Sequence, residues 1–173
     1  MSVMIAHASK DEKNGIKNGQ AGDQTGKEVC IRTWYSRPWN YVLRFLDSAT
    51  ANKVAECMEK AVVNDNIGYD QNQRNTLLNK CRQYGYDVSK VTEPCECDCS
   101  SLVSVACMYA GVPEKELIYK GNCATTRTLR NMLLKTGRIV AYNDPAFTKN
   151  PNQLRRGDIL LSEGHHVAVV VGV

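Results

Sequence analysis

Two residues in the second half of the chain have the types that nucleophilic catalysis needs. Cys99 lies in the segment CDCSSLVSVACMYAG directly after Asp98, whose short acidic side chain suits a helix N-cap. The predicted helix therefore puts the Cys99 sulfur near unpaired backbone N–H groups, which favour an anion and lower the pKa of a thiol. The same helix start, with Asp98 and Ser100, is predicted to hold the oxyanion formed when the sulfur attacks an amide.

The second residue is a histidine at the start of the last predicted strand. In HVAVVV the alternation of a strand puts His166, Ala168 and Val170 on one face, and the small side chain of Ala168 predicts that a helix end approaches that face. We therefore predict a catalytic pair in which Cys99 is the nucleophile and His166 the general base. His165, on the other side of the strand, is the alternate base.

The elements that must position this pair follow from the periodicity of the apolar residues. Helices are predicted from Ser48, which serves as the N-cap, over 70–85 with Asp70 as the N-cap, over 98–110 and over 126–135. Strands are predicted over 3–8, 28–35, 138–142, 157–162 and 166–171. The short turn between the last two strands predicts a hairpin.

Three short segments carry a resemblance to known enzymes: DCSSLV at 98–103, GDIL at 157–160 and HVAV at 166–169. They resemble the NlpC-type papain-like cell-wall peptidases and the related CHAP amidases. The N-terminal half, with AGDQTGKEVCIRTWY, RPWNYVLR and NIGYDQNQRN, resembles more narrowly the endolysins of phages and prophages of Gram-positive bacteria. Together the similarity covers nearly the whole chain.

This resemblance implies a papain-like α+β fold, in which the nucleophile helix packs on an antiparallel β-sheet that carries the histidine. It implies hydrolysis of a peptidoglycan amide, by an N-acetylmuramoyl-L-alanine amidase or a stem-peptide endopeptidase. Such enzymes place a third polar residue on the strand after the base, to orient the imidazole. Here either residues downstream of Val173 or an earlier segment must supply it, with His7, Asp23 and Asp70 as candidates.

Composition sets the remaining expectations. The 173 residues, 43% of them apolar, suit a single catalytic domain over 1–173, which the sequence leaves open as a fragment of a longer protein with a wall-binding domain. No membrane span or signal peptide is visible, so we expect a protein made in the host cytoplasm that acts on the wall after release. The net charge of +4 without a dense basic block argues against nucleic acid and suits an anionic polymer such as peptidoglycan. We expect a monomer without a cofactor.

Other constellations give weaker signals. Cys95, Cys97 and Cys99 alternate, but no second pair completes a zinc site, and a regulatory disulfide stays open. The segment from Asp11 to Gly15 is acidic, but it lacks the EF-hand spacing, so no metal is predicted. Trp34, Tyr35 and Trp39 suit either a substrate groove or the core. The alternative functions are a papain-fold transferase or deamidase with a non-wall substrate, and a non-catalytic module that binds the wall or zinc.

Overall fold

An antiparallel sheet of six strands forms the centre of the protein. The computed structural model describes residues 1–173, and the strand order of the main sheet is β2-β1-β10-β9-β3-β8. The strands are β1 (Met4–Ala8), β2 (Val29–Thr33), β3 (Tyr41–Phe45), β4 (Ile67–Tyr69), β5 (Cys95–Cys97), β6 (Ile118–Tyr119), β7 (Asn122–Cys123), β8 (Ile139–Tyr142), β9 (Ile159–Ser162) and β10 (His166–Gly172). The helices are α1 (Ser48–Val62), α2 (Thr76–Cys81), α3 (Cys99–Tyr109), α4 (Leu129–Lys135) and α5 (Pro145–Thr148). The fold is therefore mixed α+β.

The first and last strands of the chain are neighbours in this sheet. In the antiparallel register of β1 and β10, Ile5 pairs with Val170 and Ala6 with Val169. On the other side, β10 pairs with β9 in the predicted hairpin, which is confirmed. The sheet thus brings the N-terminal strand beside the strand that starts with His166.

The two faces of the sheet are covered differently. Ala6, Val167, Val169 and Val171 belong to a core of 40 buried residues that also contains the apolar side chains of α1 and α3. Ala168 and Val170, with Ile5 on β1, belong instead to a second cluster of seven buried residues on the opposite face. Both helices therefore pack on the face of the odd-numbered valines of β10.

The GDIL segment joins the sheet to α1. Gly157 has φ of +86°, and a Cβ at this position would lie 2.2 Å from the Ala51 carbonyl oxygen, so only glycine lets α1 approach so closely. The Asp158 carboxylate accepts two hydrogen bonds, of 2.7 and 2.6 Å, from the Arg44 guanidinium on β3. This ion pair holds β3 against the residue that directly precedes β9. The sequence pattern does not predict β3.

Two predicted helix starts are wrong. The N-cap of α1 is Asp47, whose carboxylate accepts a hydrogen bond from the Thr50 N–H, and Ser48 is the first helical residue. α2 begins at Thr76 rather than near Asp70, because Asp70 instead accepts a hydrogen bond from the Asn72 N–H in a local turn. No helix combines the length and the apolar character needed to cross a bilayer.

Two small sheets lie outside the main one. β4 and β5 form a parallel pair with Gly68 opposite Glu96 and Tyr69 opposite Cys97, and β5 directly precedes α3 in the sequence. β6 and β7 form a short antiparallel pair. β5 therefore leads directly to Cys99, and β4 lies beside it.

Candidate active site

The start of α3 is fixed by a complete capping box. The Asp98 carboxylate accepts a hydrogen bond of 2.9 Å from the Ser101 N–H, and the Ser101 hydroxyl accepts one of 2.8 Å from the Asp98 N–H. Asp98 is therefore the N-cap, as the sequence predicts, and Cys99 is the first helical residue. This geometry leaves little freedom for the backbone beside the thiol.

Arg74, which the sequence analysis missed, stabilises this helix start from the outside. Its guanidinium donates hydrogen bonds of 2.7 and 3.1 Å to the Asp98 carboxylate and one of 2.9 Å to the Ser100 hydroxyl. It also donates to the carbonyl oxygens of Cys123 and Ala124, both at 2.8 Å. Arg74 falls in a segment predicted as an ordinary helix, where an exposed arginine is unremarkable, so nothing in the pattern singled it out.

The Cys99 side chain is buried, with 7% of its surface exposed. The backbone N–H groups of Val167 and Ser100 face its sulfur and favour the thiolate, as does Arg74 at longer range. Burial outweighs them and, with the nearby Asp98 carboxylate, raises the pKa of the thiol to about 12. The helix start thus lowers the pKa of Cys99 as predicted, but burial outweighs it, so the net direction is opposite to the prediction and the thiol form is favoured at neutral pH.

His166 is held by a second histidine. Its Nε2 atom lies 2.7 Å from the Nδ1 atom of His7 on the neighbouring strand β1, and the two rings meet edge to face. The Trp39 indole ring, 4% exposed, lies 6.2 Å from the His166 ring on another side. Of the three candidates for an orienting residue, His7 is thus the one that contacts His166.

The pKa values of both histidines are lowered. Burial, followed by the positive charges of Arg32 and Arg37, lowers the pKa of His7 to about 4. Burial, followed by His7 and the same two arginines, lowers the pKa of His166 to about 3. Both rings are therefore neutral at pH 7, and one of them must donate the shared proton while the other accepts it.

The relation of the histidine to the helix differs from the sequence prediction. The His166 ring lies on the face of Ala168 and Val170, away from α1 and α3, so the predicted helix approach over Ala168 is wrong. Cys99 instead meets β10 at its first residues, where its sulfur faces the N–H of Val167, the residue after His166. The thiol and the imidazole thus flank the start of one strand.

An open cleft of about 480 Å³ reaches both histidines. Its lining contains three cationic side chains, and no aspartate or glutamate. Tyr69 at its edge is close enough to Cys99 for the thiol to affect the tyrosine, whose pKa is raised mainly by burial. The lining residues are His7, Ser9, Lys10, Ile16, Arg32, Tyr35, Arg37, Tyr69, Gln71, His165 and His166.

The remaining predicted residues fall in different places. His165 is exposed at the edge of the cleft. Asp23 accepts hydrogen bonds from the N–H groups of its own loop, including those of Gly26 and Glu28. Trp39 is buried and donates a hydrogen bond to the Tyr35 carbonyl oxygen, so it is a core anchor rather than a groove residue. All eight cysteines are free thiols.

A comparison with protein families agrees with this architecture. The model of the endolysin-like domain family matches residues 5–172. The chain belongs to this family. No curated protein and no solved structure matches it. Membership of the endolysin-like domain family indicates a cell-wall lytic enzyme, a peptidoglycan hydrolase, whereas the chemical mechanism has to be argued from the residues.

Proposed function

We propose that this endolysin-like domain hydrolyses an amide bond of peptidoglycan, with Cys99 as the nucleophile and His166 as the general base. The observation that carries the proposal is the junction of α3 and β10, where the Cys99 sulfur faces the N–H of the residue after His166. A nucleophile helix packed on an antiparallel sheet that carries the base also supports a papain-like fold of the NlpC and CHAP type. The enzyme acts as an amidase or as a stem-peptide endopeptidase, on the wall, after release from the host cytoplasm.

The hydrogen bond between the histidines fits two tautomers, and we assign the one that this chemistry needs. If the His166 Nε2–H donates to the His7 Nδ1 lone pair, the Nδ1 atom of His166 is left unprotonated and can accept the thiol proton. In the opposite tautomer His166 carries its proton on Nδ1 and cannot act as the base from that atom. His7 therefore acts as a positioning residue, in the role that a carboxylate or amide has in other triads.

Catalysis then proceeds by acyl transfer. Because the imidazole lies on the opposite face of the sheet from α3, the thiol proton reaches His166 Nδ1 past the start of β10, through a bridging water, as the sulfur attacks the amide carbonyl carbon. Backbone N–H groups at the start of α3, with Ser100 among them, hold the oxyanion. His166 passes that proton to the amine as the C–N bond breaks, which leaves a thioester on Cys99. Water then loses a proton to His166, attacks the thioester and releases the carboxylic acid and the thiol.

The cleft suits an anionic peptide. Lys10, Arg32 and Arg37 line it without acidic partners, and Arg32 lies over the Tyr35 ring at 4.3 Å. A peptidoglycan stem peptide carries carboxylates close to its amide bonds, and these can pair with the cations. This charge pattern favours a wall peptide over a neutral substrate of a transferase or deamidase.

The test compares two cysteine variants on purified peptidoglycan. Cys99→Ala should abolish the clearing of a wall suspension and the release of muropeptides, while its melting temperature stays near that of the wild type. Cys30→Ala is the matched control, because Cys30 pairs with His7 in the register of β1 and β2 and is half-buried, but lies at no helix start. It should retain activity.

Three outcomes contradict the proposal. Lysis by Cys99→Ala, or loss of lysis in Cys30→Ala, contradicts the assignment of Cys99 as the nucleophile. If wild-type digests contain no new amino groups, the protein does not hydrolyse an amide bond of peptidoglycan. Tight wall binding without any cleavage by the wild type points to the non-catalytic alternative. Mass spectrometry of the released muropeptides identifies the bond that is cut.

A further inference from the structure

Five acidic side chains from three segments of the chain gather beside β4 and β5. Four of them are almost fully buried, which is rare for carboxylates without cationic partners. Their exposed fractions are 5% for Asp11, 1% for Glu28, 2% for Asp70 and 2% for Glu96, and the partly exposed Glu12 is the fifth member. We call this set the acidic cluster.

Glu96 is the member that has no partner at all. Neither of its carboxylate oxygens accepts or donates a hydrogen bond, although the side chain is 2% exposed. A buried carboxylate in this state is strongly unfavourable unless something else binds it. Glu96 is therefore the residue in this region that lacks a binding partner for its carboxyl group.

The register of the small sheet directs Glu96 towards the other acids. Glu96 pairs with Gly68 across the parallel strands, so the two residues share a face of the sheet. A Cβ at Gly68 would lie 2.7 Å from the Glu28 carboxylate, and only the lack of a side chain leaves this space free. The carboxyl group of Glu96 therefore extends over a face that Glu28 already occupies.

The other carboxylates are partly satisfied by backbone N–H groups. Glu28 accepts from the N–H of Tyr69 at 2.9 Å, and Asp11 accepts from the N–H groups of Lys13 and Gly15 at 2.9 and 2.7 Å. These bonds engage Oδ1 of Asp11 and Oε2 of Glu28, but they leave Oδ2 of Asp11 without a hydrogen bond and the negative charges close together. Burial first, and then the charges of Glu28, Asp70, Glu12 and Asp11, raise the pKa of Glu96 to about 8.

We propose that the acidic cluster binds one calcium ion. Its donors are oxygens only, because neither histidine nor cysteine belongs to it, and oxygen donors in number are what Ca²⁺ requires. Main-chain oxygens are also at hand: a Cβ at Gly19 would lie 3.1 Å from both the Tyr69 carbonyl oxygen and a Glu12 carboxylate oxygen. No three acidic side chains already stand around a common point at ligating distance, so the carboxylates rotate onto the ion. Ca²⁺ tolerates such irregular geometry better than Mg²⁺.

The position of the cluster gives the ion a structural role. Residues 9–28 run between β1 and β2 and carry three of the acids, whereas Glu96 precedes Cys99 by three residues on the segment that enters α3. One ion would tie this loop to the strand that leads to the nucleophile. Calcium therefore stabilises the region around Cys99 without taking part in the chemistry of the thiol.

The experiment measures calcium binding without any wall substrate. Full-length protein is treated with a chelator, exchanged into calcium-free buffer and titrated with CaCl₂ in a calorimeter. We expect one site, and a rise in melting temperature of about 5–10 °C when calcium exceeds Kd about 100-fold. Equal concentrations of MgCl₂ should give a smaller shift.

Two variants assign the site. Glu96→Gln should abolish the calcium-dependent shift and, in chelator, melt no lower than the wild type, because burial and the neighbouring charges already favour the neutral form of Glu96. Glu93→Gln is the control, since Glu93 is exposed, pairs with Lys80 and lies three residues away; it should keep the shift. Asp11→Asn, at another corner of the cluster, should weaken calcium binding if Glu96→Gln does not fold.

The absence of a calcium-dependent shift in the wild type overturns the proposal, as does a full shift in Glu96→Gln or, where that variant does not fold, in Asp11→Asn. None of these measurements needs catalysis. An inactive protein that binds calcium would contradict the proposed function alone, and an active protein that ignores calcium would contradict this site alone.

Discussion

The histidine pair and the acidic cluster both contain buried titratable groups, but the charges that surround these groups have opposite signs. Arg32 and Arg37 add to burial in lowering the pKa values of His7 and His166, whereas four carboxylates add to burial in raising that of Glu96. In both places the neutral form is favoured. The difference is that the two rings satisfy each other at 2.7 Å, while Glu96 has no partner.

The histidine pair thus satisfies its own hydrogen-bonding groups, whereas the acidic cluster needs a further binding partner for Glu96. Two neutral imidazoles can share a single proton, since each ring has one donor and one acceptor. Two ionised carboxylates have no hydrogen to share, so those of the acidic cluster need a proton, a donor group or a cation between them. The histidine pair is therefore prepared for proton transfer, and the acidic cluster for an ion.

The largest effect is expected at the histidine that we assign as the base. His166→Ala should lower the rate of wall hydrolysis by about 10²–10⁴-fold, because the thiol of Cys99 is protonated at neutral pH and needs a base. His165→Ala should keep nearly full activity, since that ring is exposed. Comparable losses in the two variants would contradict the choice of His166, and a loss in His165→Ala alone would assign the base to His165. Initial rates on purified peptidoglycan measure both.

Acid should destabilise the histidine pair. The pKa values of His7 and His166 in the folded chain, about 4 and about 3, lie below the unfolded value of 6.5. The unfolded state therefore binds more protons in this range, so the stability present above pH 6.5 is lost as the pH falls towards 3, by up to about 3 kcal/mol for His7 and about 5 kcal/mol for His166. Urea unfolding between pH 7 and pH 4 checks the slope, which should be shallower in His7→Gln. An equal slope in that variant contradicts the assignment.

Gly68→Ala tests how tightly the acidic cluster is packed. The added Cβ would lie 2.2 Å from the Gly22 carbonyl oxygen, so we expect a loss of about 1–3 kcal/mol in the free energy of unfolding. Gly172→Ala is the control, because its Cβ would meet only the Met4 side chain at 3.5 Å. Urea midpoints measured in calcium-free buffer compare the two. Equal urea midpoints for Gly68→Ala and Gly172→Ala would show that the acidic cluster is not tightly packed at Gly68.

His7→Ala should have a smaller effect than loss of the base. Without the partner of Nε2 the His166 ring is free to rotate and to change tautomer, and we expect a loss of about 10- to 100-fold in kcat. His7→Gln, whose side-chain oxygen can accept the same hydrogen bond, should recover part of it. If His7 had a purely structural role, His7→Gln and His7→Ala variants with equal melting temperatures would have equal kcat values.

The smallest effect is expected in the cleft. Arg37→Gln should raise KM for soluble muropeptides by about 3- to 10-fold, with kcat unchanged, and should weaken the dependence of KM on salt. Arg138→Gln removes the same charge from an exposed position outside the cleft and should leave KM unchanged. A change in kcat alone would contradict a role in substrate binding.

Much of the frame around Cys99 could be predicted from local patterns. The structure confirms the N-cap Asp98 and the hairpin of β9 and β10. Both could be predicted because they depend on residues that are close in the sequence. The N-cap of α2 is Asn75, so its start was predicted five residues too early, because Asp70, a plausible N-cap, satisfies a turn instead. Capping types indicate that an end is near, but they do not choose between competing local hydrogen bonds.

The sequence by itself determined the helix start at Asp98, the strand start at His166 and the types of side chain placed there, because capping and strand alternation act over a few residues. Only the tertiary structure decided that His7, 159 positions away, contacts His166, and that burial raises rather than lowers the pKa of Cys99. Strand order and desolvation depend on which distant segments pack together. The same reason explains why Glu96 could not be recognised from its sequence context: its four acidic neighbours come from residues up to 85 positions apart.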